Sequence, residues 1–486
     1  NVCQVELRMY KFKTEPYKHQ RDALEKCWDK EAFAIFAEMG TGKTKIALDN
    51  ACILYNKGKI DRLLVVAPKG AYMNWVDQEI PIHVPDYIEK KVVAWKQSTS
   101  QKYKEQLKNI MDNQDYRLKI MVMNVEAFST KKGTKFANLF LIGKSMMIVD
   151  ESTTIKNPKA KRTKSILSLS KQTKYRRILT GSPVTRSPMD LWSQMDFLDP
   201  YILGQSSYYA FRTRYAVVIE ATAAGGTHRY QKIVKFQNLK ELGDSISPHS
   251  YRILKKDCLD LPDKVYTKRF VELTEEQTKA YSQMRENAIS IIGKSSITAV
   301  NVLTQLIRLH QIICGHMKTD TNEIIDIHNN RLSQLMQILD ETSGKVIIWA
   351  NYVHDIHSIE KSVKKEYGDN SYCTYYGGTK QEDRQKCINE FQDPNSKLRF
   401  FIGNTQTGGY GITLTAASTV VYYSNNYDLE KRIQSEDRAH RIGQENKVLY
   451  IDLVAKGTVD EKIIRSLRSK VNIAKEISGE ELISWI

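Results

Sequence analysis

At 486 residues the chain is too long for one ordinary domain and suggests about three. Its 41% apolar and 27% charged residues exclude a chain dominated by disorder, and 24 Gly with 11 Pro are too few for a collagenous one. The 73 basic residues against 56 acidic ones give a net charge of +17, which points to a polyanionic partner, nucleic acid first. No window approaches the roughly 18 uninterrupted apolar residues of a membrane span. The opening NVCQVELRMYKFK has no apolar signal core and does not begin with Met, so a trimmed start is expected. Seven cysteines (Cys3, Cys27, Cys52, Cys258, Cys314, Cys373, Cys387) are dispersed without a C-x-x-C pair, which fits a reducing compartment better than a disulfide scaffold. Cys314 and His316 lack a second pair at ligand spacing and read as core.

In chain order, strand-length apolar runs come first: AFAIFA (32–37), RLLVVAP (62–68), KIMVMN (119–124), SMMIVD (145–150) and RRILTG (176–181). Amphipathic stretches separate them, as in parallel α/β units. One of these, KTKIALDNACILYNKG, has helical spacing and stops at Gly58. From about Pro200 to Glu341 the helical period dominates, with a loop tip expected at ATAAGGT (221–227). Alternation resumes near Lys345 with KVIIWAN, SYCTYYGG, LRFFIGNT, STVVYYS and VLYIDLVA. The pattern predicts two α/β lobes flanking a helical middle.

The stretch AEMGTGKT (37–44) has P-loop spacing between the first strand and first helix, with Ala37 in the first position. Gly40 and Gly42 let backbone N–H groups turn inward around phosphate oxygens, beside the positive end of the helix dipole. Lys43 is placed to bridge β- and γ-phosphates and the Thr44 hydroxyl to ligate Mg²⁺, while Met39 and Thr41 complete the loop. IVDEST (148–153) ends a strand with two acids. Asp150 is expected to hold the metal, and Glu151 to orient or deprotonate the attacking water.

With these motifs in view, the chain resembles the Swi/Snf-like group of helicase-superfamily-two ATPases, over about Pro16 to Leu467. PYKHQ (16–20) resembles the adenine-reading Gln motif, with Gln20 as reader, and APKGAYMNWVDQE (67–79) resembles motif Ia. DESTTIKNPKAKRTK (150–164) and LTGSPVTRSPMDLWSQMDFLDP (179–200) resemble motifs II and III. ILKKDCLDLPDK (253–264) and LTEEQTKAY (273–281) resemble the stretch joining the lobes. YYGGTKQEDRQKCINEFQ (375–392), NTQTGGYGITLTAASTVVYYS (404–424) and QSEDRAHRIGQ (434–444) resemble motifs IVa, V and VI, and GTVDEKI (457–463) resembles the tail.

The resemblance implies an α/β fold: two RecA-like parallel-sheet lobes, helical insertions between them, and a C-terminal brace helix. The expected division is 1–200, 201–341, 342–460 and 461–486. It makes Arg438 and Arg441, three apart on an expected helix, arginine fingers against nucleotide held by the first lobe, with Gln434 on the same surface. Thr180, Ser182 and Gly409 are implied to couple nucleotide state to DNA grip, and Gly411 to lie against the nucleotide. Lys69, Asn74, Arg384, Thr405 and Thr407 are implied contacts to the DNA backbone, which carry little sequence preference.

Trp75 reads as packing beneath motif Ia ahead of the alternative, stacking on a base. The basic run Lys156, Lys159, Lys161, Arg162 and Lys164 reads either as a solvated loop or as a phosphate contact. Two departures stand out. Ser152 and Thr153 replace the family's Ala or Gly followed by a coupling His, and YDL (427–429) replaces its aromatic–Asn–Pro turn. The implied activity is ATP- and Mg²⁺-dependent translocation along double-stranded DNA. Alternatives are a fork-remodelling or branch-migrating helicase, an RNA helicase, and a DNA-binding scaffold with a silent ATPase. A compact bacterial or phage-type monomer is expected, cytoplasmic and without a membrane, with a separate protein partner available for targeting.

Overall fold

The computed structural model describes residues 10–185, 187–222, 229–258, 261–293, 299–319, 323–408 and 412–478. The chain folds into two compact units, centred on Asn1–Tyr215 with Phe236–Asp260 and on Leu261–Asn472 with Ala216–Lys235. Among the described residues no helix is long and apolar enough to cross a membrane.

The first unit is built on β1 (Ala32–Ala37), β2 (Arg62–Ala67), β3 (Lys90–Ala94), β4 (Leu118–Asn124), β5 (Ser145–Asp150), β6 (Tyr175–Thr180) and β7 (Ser250–Ile253). They form one sheet in the order β3-β4-β2-β5-β6-β1-β7, parallel throughout. β2 and β5 are buried along their whole length. Parallel strands covered on both faces need such continuous apolar runs, which is why RLLVVA and SMMIVD stand out in the sequence. The register sets Phe36 beside Thr180 and Asp150 beside Leu179, so the carboxyl ends of β1, β6 and β5 lie side by side. Open parallel sheets take their ligands at this edge.

The second unit carries β8 (Lys264–Val271), β9 (Lys345–Trp349), β10 (Tyr372–Tyr375), β11 (Phe400–Gly403), β12 (Ala417–Tyr422) and β13 (Val448–Ala455). Their order is β8-β13-β12-β9-β11-β10, again all parallel.

The segment 201–341 is not purely helical. The expected helical runs form Glu275–Gly293 and Ala299–Cys314, but β7 joins the edge of the first sheet and β8 the edge of the second. Edge strands are covered on one side only, so SYRI and KVYTKRFV lack the apolar run that marks a central strand. Ala216–Thr222 and Arg229–Phe236 form a separate two-stranded sheet. Most of the loop tip expected at 221–227 lies outside the described residues. The helix Asn330–Glu341 buries Leu335, Ile338 and Leu339 in the second unit's core, so that core begins before residue 342.

The final helix begins at Val459 and is described to Ser478. It buries Ile463 and Leu467 against Leu429 and Ile433. Its first turn is anchored by Asp460, which accepts hydrogen bonds from the Ala455 amide (3.0 Å) and the Arg331 guanidinium. Burial alone would raise the Asp460 carboxyl, but Arg331 and His310 outweigh it and hold the group down to about 2, against an ordinary 3.8. A carboxyl whose pKa is lower folded than unfolded stabilises the fold above the unfolded value and loses that contribution as pH falls through the folded one. Melting of the full chain should therefore show about 2 kcal/mol lost between pH 4 and pH 2 through this group. Asp460→Asn should be less stable at neutral pH and lack that acid-dependent component. An unchanged acid profile in the variant would contradict the assignment.

The cysteines depart from expectation at one place. Cys373 on β10 and Cys387 on the helix Gln381–Gln392 are joined by a disulfide, their Cα atoms 5.8 Å apart because that helix packs back on its own strand. Cys27, Cys52, Cys258 and Cys314 are free thiols.

Candidate active site

The helix α1 (Lys18–Cys27) lies against the loop between β1 and the helix α2 (Lys43–Asn56). Gly40 (φ 81°) and Gly42 (φ 84°) both adopt the left-handed backbone that glycine permits. At Gly42 a Cβ would meet Gln20 Nε2 at 2.2 Å, so the close approach also requires glycine. Gln20 is buried; its Nε2 donates to the Thr41 carbonyl (3.1 Å) and its Oε1 accepts from the Tyr17 amide (3.0 Å). His19 Nε2 donates to the same Thr41 carbonyl at 2.9 Å, a contact that the sequence reading missed. The Thr41 hydroxyl donates back to the Glu38 carbonyl (2.7 Å), and the Glu38 carboxylate accepts from the Lys255 amide (2.7 Å) just beyond β7. Met39, Gly40 and Thr44 are half-buried around this loop. Beside it opens a cleft of about 650 Å³, walled by Tyr17 and His19, whose rings stack at 5.8 Å, and by Tyr251 and Arg252. That volume suits a small ligand.

Lys43 Nζ reaches Glu151 Oε1 at 3.4 Å, and Lys43, Asp150 and Glu151 are all buried. Trp75 is buried as expected, and its indole N–H donates to Asp150 Oδ2 at 2.9 Å. A buried indole needs an acceptor, and packing rather than local pattern makes Asp150 that acceptor. The Glu151 amide donates to Asp150 Oδ1 (3.0 Å), and Glu151 itself has φ 46°. A left-handed non-glycine residue costs roughly 1–2 kcal/mol, so neighbouring contacts must hold the turn. Burial and the adjacent Glu151 push the Asp150 carboxyl up, against the pull of Lys43 and the Trp75 N–H. Two buried carboxylates thus share one ammonium, and the deficit of positive charge fits a divalent cation. Magnesium sites commonly take one or two carboxylates and complete their shell with substrate phosphates. Of the side chains at this edge, Asp150 and the Thr44 hydroxyl are those that could hold such an ion.

The turn after β6 lies between the glycine loop and the acids, because β6 pairs with both β1 and β5. A Cβ on Gly181 would sit 3.3 Å from the Ala37 carbonyl, and Arg252 Nη1 donates to the Gly181 carbonyl at 2.8 Å. Thr180 is buried and its hydroxyl accepts from the Ser182 amide (3.1 Å). The structure therefore brings Gln20, Gly40–Thr44, Asp150, Glu151, Thr180 and Ser182 to one edge of one sheet. Of the basic run, Lys156 Nζ donates to Thr185 Oγ1 (2.6 Å) and Arg162 Nε to the Thr154 carbonyl (3.1 Å), whereas Lys159, Lys161 and Lys164 are exposed.

In the second unit the helix α3 (Leu429–Glu436) starts at Asp428, whose carboxylate accepts from the Glu430 (3.1 Å) and Lys431 (3.4 Å) amides. This N-cap is the local structure that YDL forms. Arg438 and Arg441 do not lie on that helix, as the three-residue spacing had suggested; α3 ends at Glu436 and both sit in the turns that follow. They still converge, because Arg438 Nη1 (3.1 Å) and Arg441 Nη1 (3.3 Å) both donate to the Ile412 carbonyl. Arg438 Nε also donates to the carbonyl of the buried Gln434 (2.9 Å). The helix is bolted to the sheet by Arg432, which donates to Glu436 Oε1 (2.8 Å), Asn425 Oδ1 (2.7 Å) and Asp452, and lies 3.5 Å over the Tyr422 ring. Gly409 and Gly411 lie outside the described residues.

The candidate DNA contacts fall into two groups. Lys69 is exposed and Asn74 half-buried in the first unit. Arg384, Thr405 and Thr407 follow the ends of β10 and β11, which the register sets side by side at Tyr375 and Gly403. Arg384 donates to the Tyr376 carbonyl (2.9 Å), Thr405 is buried, and Thr407 is half-buried.

Two protein families match the chain: the SNF2-related domain over residues 19–318 and the helicase conserved C-terminal domain over 328–443. The chain is 24% identical over 483 residues to Protein CHROMATIN REMODELING 4 of Arabidopsis thaliana, covering 94% of this chain and 21% of that one. It is 26% identical over 467 residues to an uncharacterized ATP-dependent helicase of Mycoplasma genitalium, covering 92% and 41%. The SWI2/SNF2 ATPase core of Sulfolobus solfataricus in complex with dsDNA aligns with 24% identity and a TM-score of 0.43, covering 96% of this chain and 94% of that one. The chain spans between about a fifth and two fifths of the length of these two curated relatives. With a phosphate loop and paired acids at one sheet edge, and with more than half its length matched by one family, the chain belongs to the proteins of the SNF2-related domain.

Proposed function

We propose that the chain is a DNA-dependent ATPase that moves along double-stranded DNA, with ATP and Mg²⁺ as its cofactors. The observation that carries this reading is the buried Lys43–Glu151 pair at 3.4 Å, beside Asp150, at the mouth of a glycine loop. Lys43 has two calls on its charge. Without nucleotide it neutralises Glu151; with ATP it turns to the β- and γ-phosphates and leaves Glu151 free to orient the attacking water. Magnesium bound by Asp150 and Thr44 would offset phosphate charge. Gln20 holds the loop in shape beside the cleft proposed for the base. Arg438 and Arg441 are proposed to stabilise charge building on the γ-phosphoryl oxygens. Thr180, Ser182 and Gly409 are proposed to couple that cycle to DNA grip, and Gly411 to lie against the nucleotide.

DNA is proposed to be held by its backbone through Lys69, Asn74, Arg384, Thr405 and Thr407, without sequence reading. The net charge of +17 and the chromatin-remodelling and helicase names of its relatives support this partner. The test is ATPase rate with plain duplex, single-stranded DNA, forked DNA and RNA at two salt concentrations. Plain duplex should stimulate most, and the half-saturating DNA concentration should rise with salt as phosphate contacts lose counterion release. Greatest stimulation by forks would favour a fork-remodelling helicase, by RNA an RNA helicase, and no turnover at all a scaffold.

A further inference from the structure

Gln194 lies on the helix α4 (Leu191–Leu198), outside the glycine loop and the acid pair, and is fully buried. Its Oε1 accepts a 2.6 Å hydrogen bond from the hydroxyl of Ser152, also fully buried, which directly follows Glu151. Its Nε2 donates to the carbonyls of Pro183 and Asp190, both at 2.8 Å. One side chain therefore joins three segments: the residue after Glu151, the turn that follows Thr180 at the end of β6 and contains Ser182, and the start of its own helix. Asp190 extends the connection, since its Oδ2 accepts from both the amide and the hydroxyl of Thr185 at 3.0 Å. That hydroxyl in turn accepts from Lys156 at 2.6 Å, four residues past Ser152. Two struts thus run between the loop after the acids and the segment after β6.

We propose that Gln194 is a positioning residue. Acting through Ser152, it holds the left-handed backbone at Glu151 so that the carboxylate stays aimed beside Lys43, and it moves that carboxylate together with the Thr180–Pro183 turn. The inference rests on the ATPase reading and deepens it. Glu151 has φ 46° and ψ 61°, a conformation that its own side chain does not favour. The residues on its two sides are anchored differently: Asp150 by the Trp75 indole and Ser152 by Gln194. Releasing Ser152 removes one anchor while the glycine loop, Lys43 and the Asp150–Trp75 bond keep their partners. The expected signature is lost turnover with retained nucleotide affinity.

Four forms of the full chain test this: Gln194→Met, which keeps length and volume but neither accepts nor donates, Ser152→Ala, Ser152→Thr, and the Ser152→Ala/Gln194→Met double variant. Gln194→Met should lower kcat by about ten- to a hundredfold, the scale of a small misplacement of a reacting group, and leave KM for ATP within about twofold. Ser152→Ala should fall in the same direction, and Ser152→Thr, which keeps a hydroxyl, should recover most of the rate. The double variant should be no slower than Gln194→Met alone, because both remove one connection. Rates are taken per nucleotide-binding site, so that a loss confined to folding changes the amount of active protein and not kcat. Near-wild-type kcat per site in Gln194→Met, or fully additive losses in the double variant, overturns the proposal; should Gln194→Met fail to fold, an unchanged kcat per site in Ser152→Ala does the same. Absence of turnover in the wild type overturns the ATPase reading and this inference together, whereas wild-type turnover that the variants leave unchanged defeats this inference alone.

Discussion

Glu151→Gln should bind ATP about as tightly as the wild type and lose hydrolysis by about a hundred- to ten-thousandfold, the usual contribution of a positioned general base. The substitution is nearly isosteric, and the site shows why it separates binding from chemistry. Glu151 is buried beside Lys43, 3.4 Å from its ammonium, and has no place in the glycine loop. Removing its charge frees Lys43 from one partner and relieves the repulsion that pushes the Asp150 carboxyl up. Nucleotide affinity should therefore hold or rise, while the attacking water loses the group that orients it. Filter binding with radiolabelled ATP and a phosphate-release assay read the two effects separately. Turnover near wild type would remove Glu151 from the chemistry.

Arg441→Ala should lower kcat by about a thousandfold or more, the scale associated with an arginine finger, and change KM for ATP far less. Arg441 is the cleaner probe of the pair. It donates to the Ile412 carbonyl at 3.3 Å and is only half-buried. Arg438 is buried and also serves the Gln434 carbonyl, so Arg438→Ala should lose stability as well as rate. Arg441→Lys should not rescue, since an ammonium cannot reproduce the planar fork of donors. Steady-state ATPase with saturating duplex, alongside a thermal melt, checks this. A kcat within about threefold of wild type in Arg441→Ala would dismiss the finger role.

Legibility in the sequence followed local chemistry. The glycine loop could be read because Gly40 and Gly42 adopt backbone that other residues avoid, and the acids because four apolar residues of a buried strand lead straight into them. Central strands were legible for the same reason. The edge strands SYRI and KVYTKRFV were not, since one-sided burial erases the apolar run. The three-residue spacing of Arg438 and Arg441 reads equally well as helix and as successive turns, and the chain uses turns anchored on the Ile412 carbonyl. The contacts of His19, Gln194 and Arg252 with the loop and its neighbours cross 22, 42 and 71 residues. Nothing in the local pattern marks such pairs, because they arise only when parallel strands distant in the chain end at one edge. The missing family His was visible as Ser152 and Thr153, but the Ser152–Gln194 bond in its neighbourhood emerges only from packing.

Chemistry at this sheet edge is proposed to drive movement along duplex DNA. Displacement of a third strand from a triplex on an otherwise plain duplex tests it most directly, measured with ATP, with a non-hydrolysable analogue, and with Glu151→Gln. Release is expected with ATP and wild-type protein only, at a rate that follows ATP turnover. Brisk duplex-stimulated hydrolysis with no strand release, or equal release without hydrolysis, would contradict it.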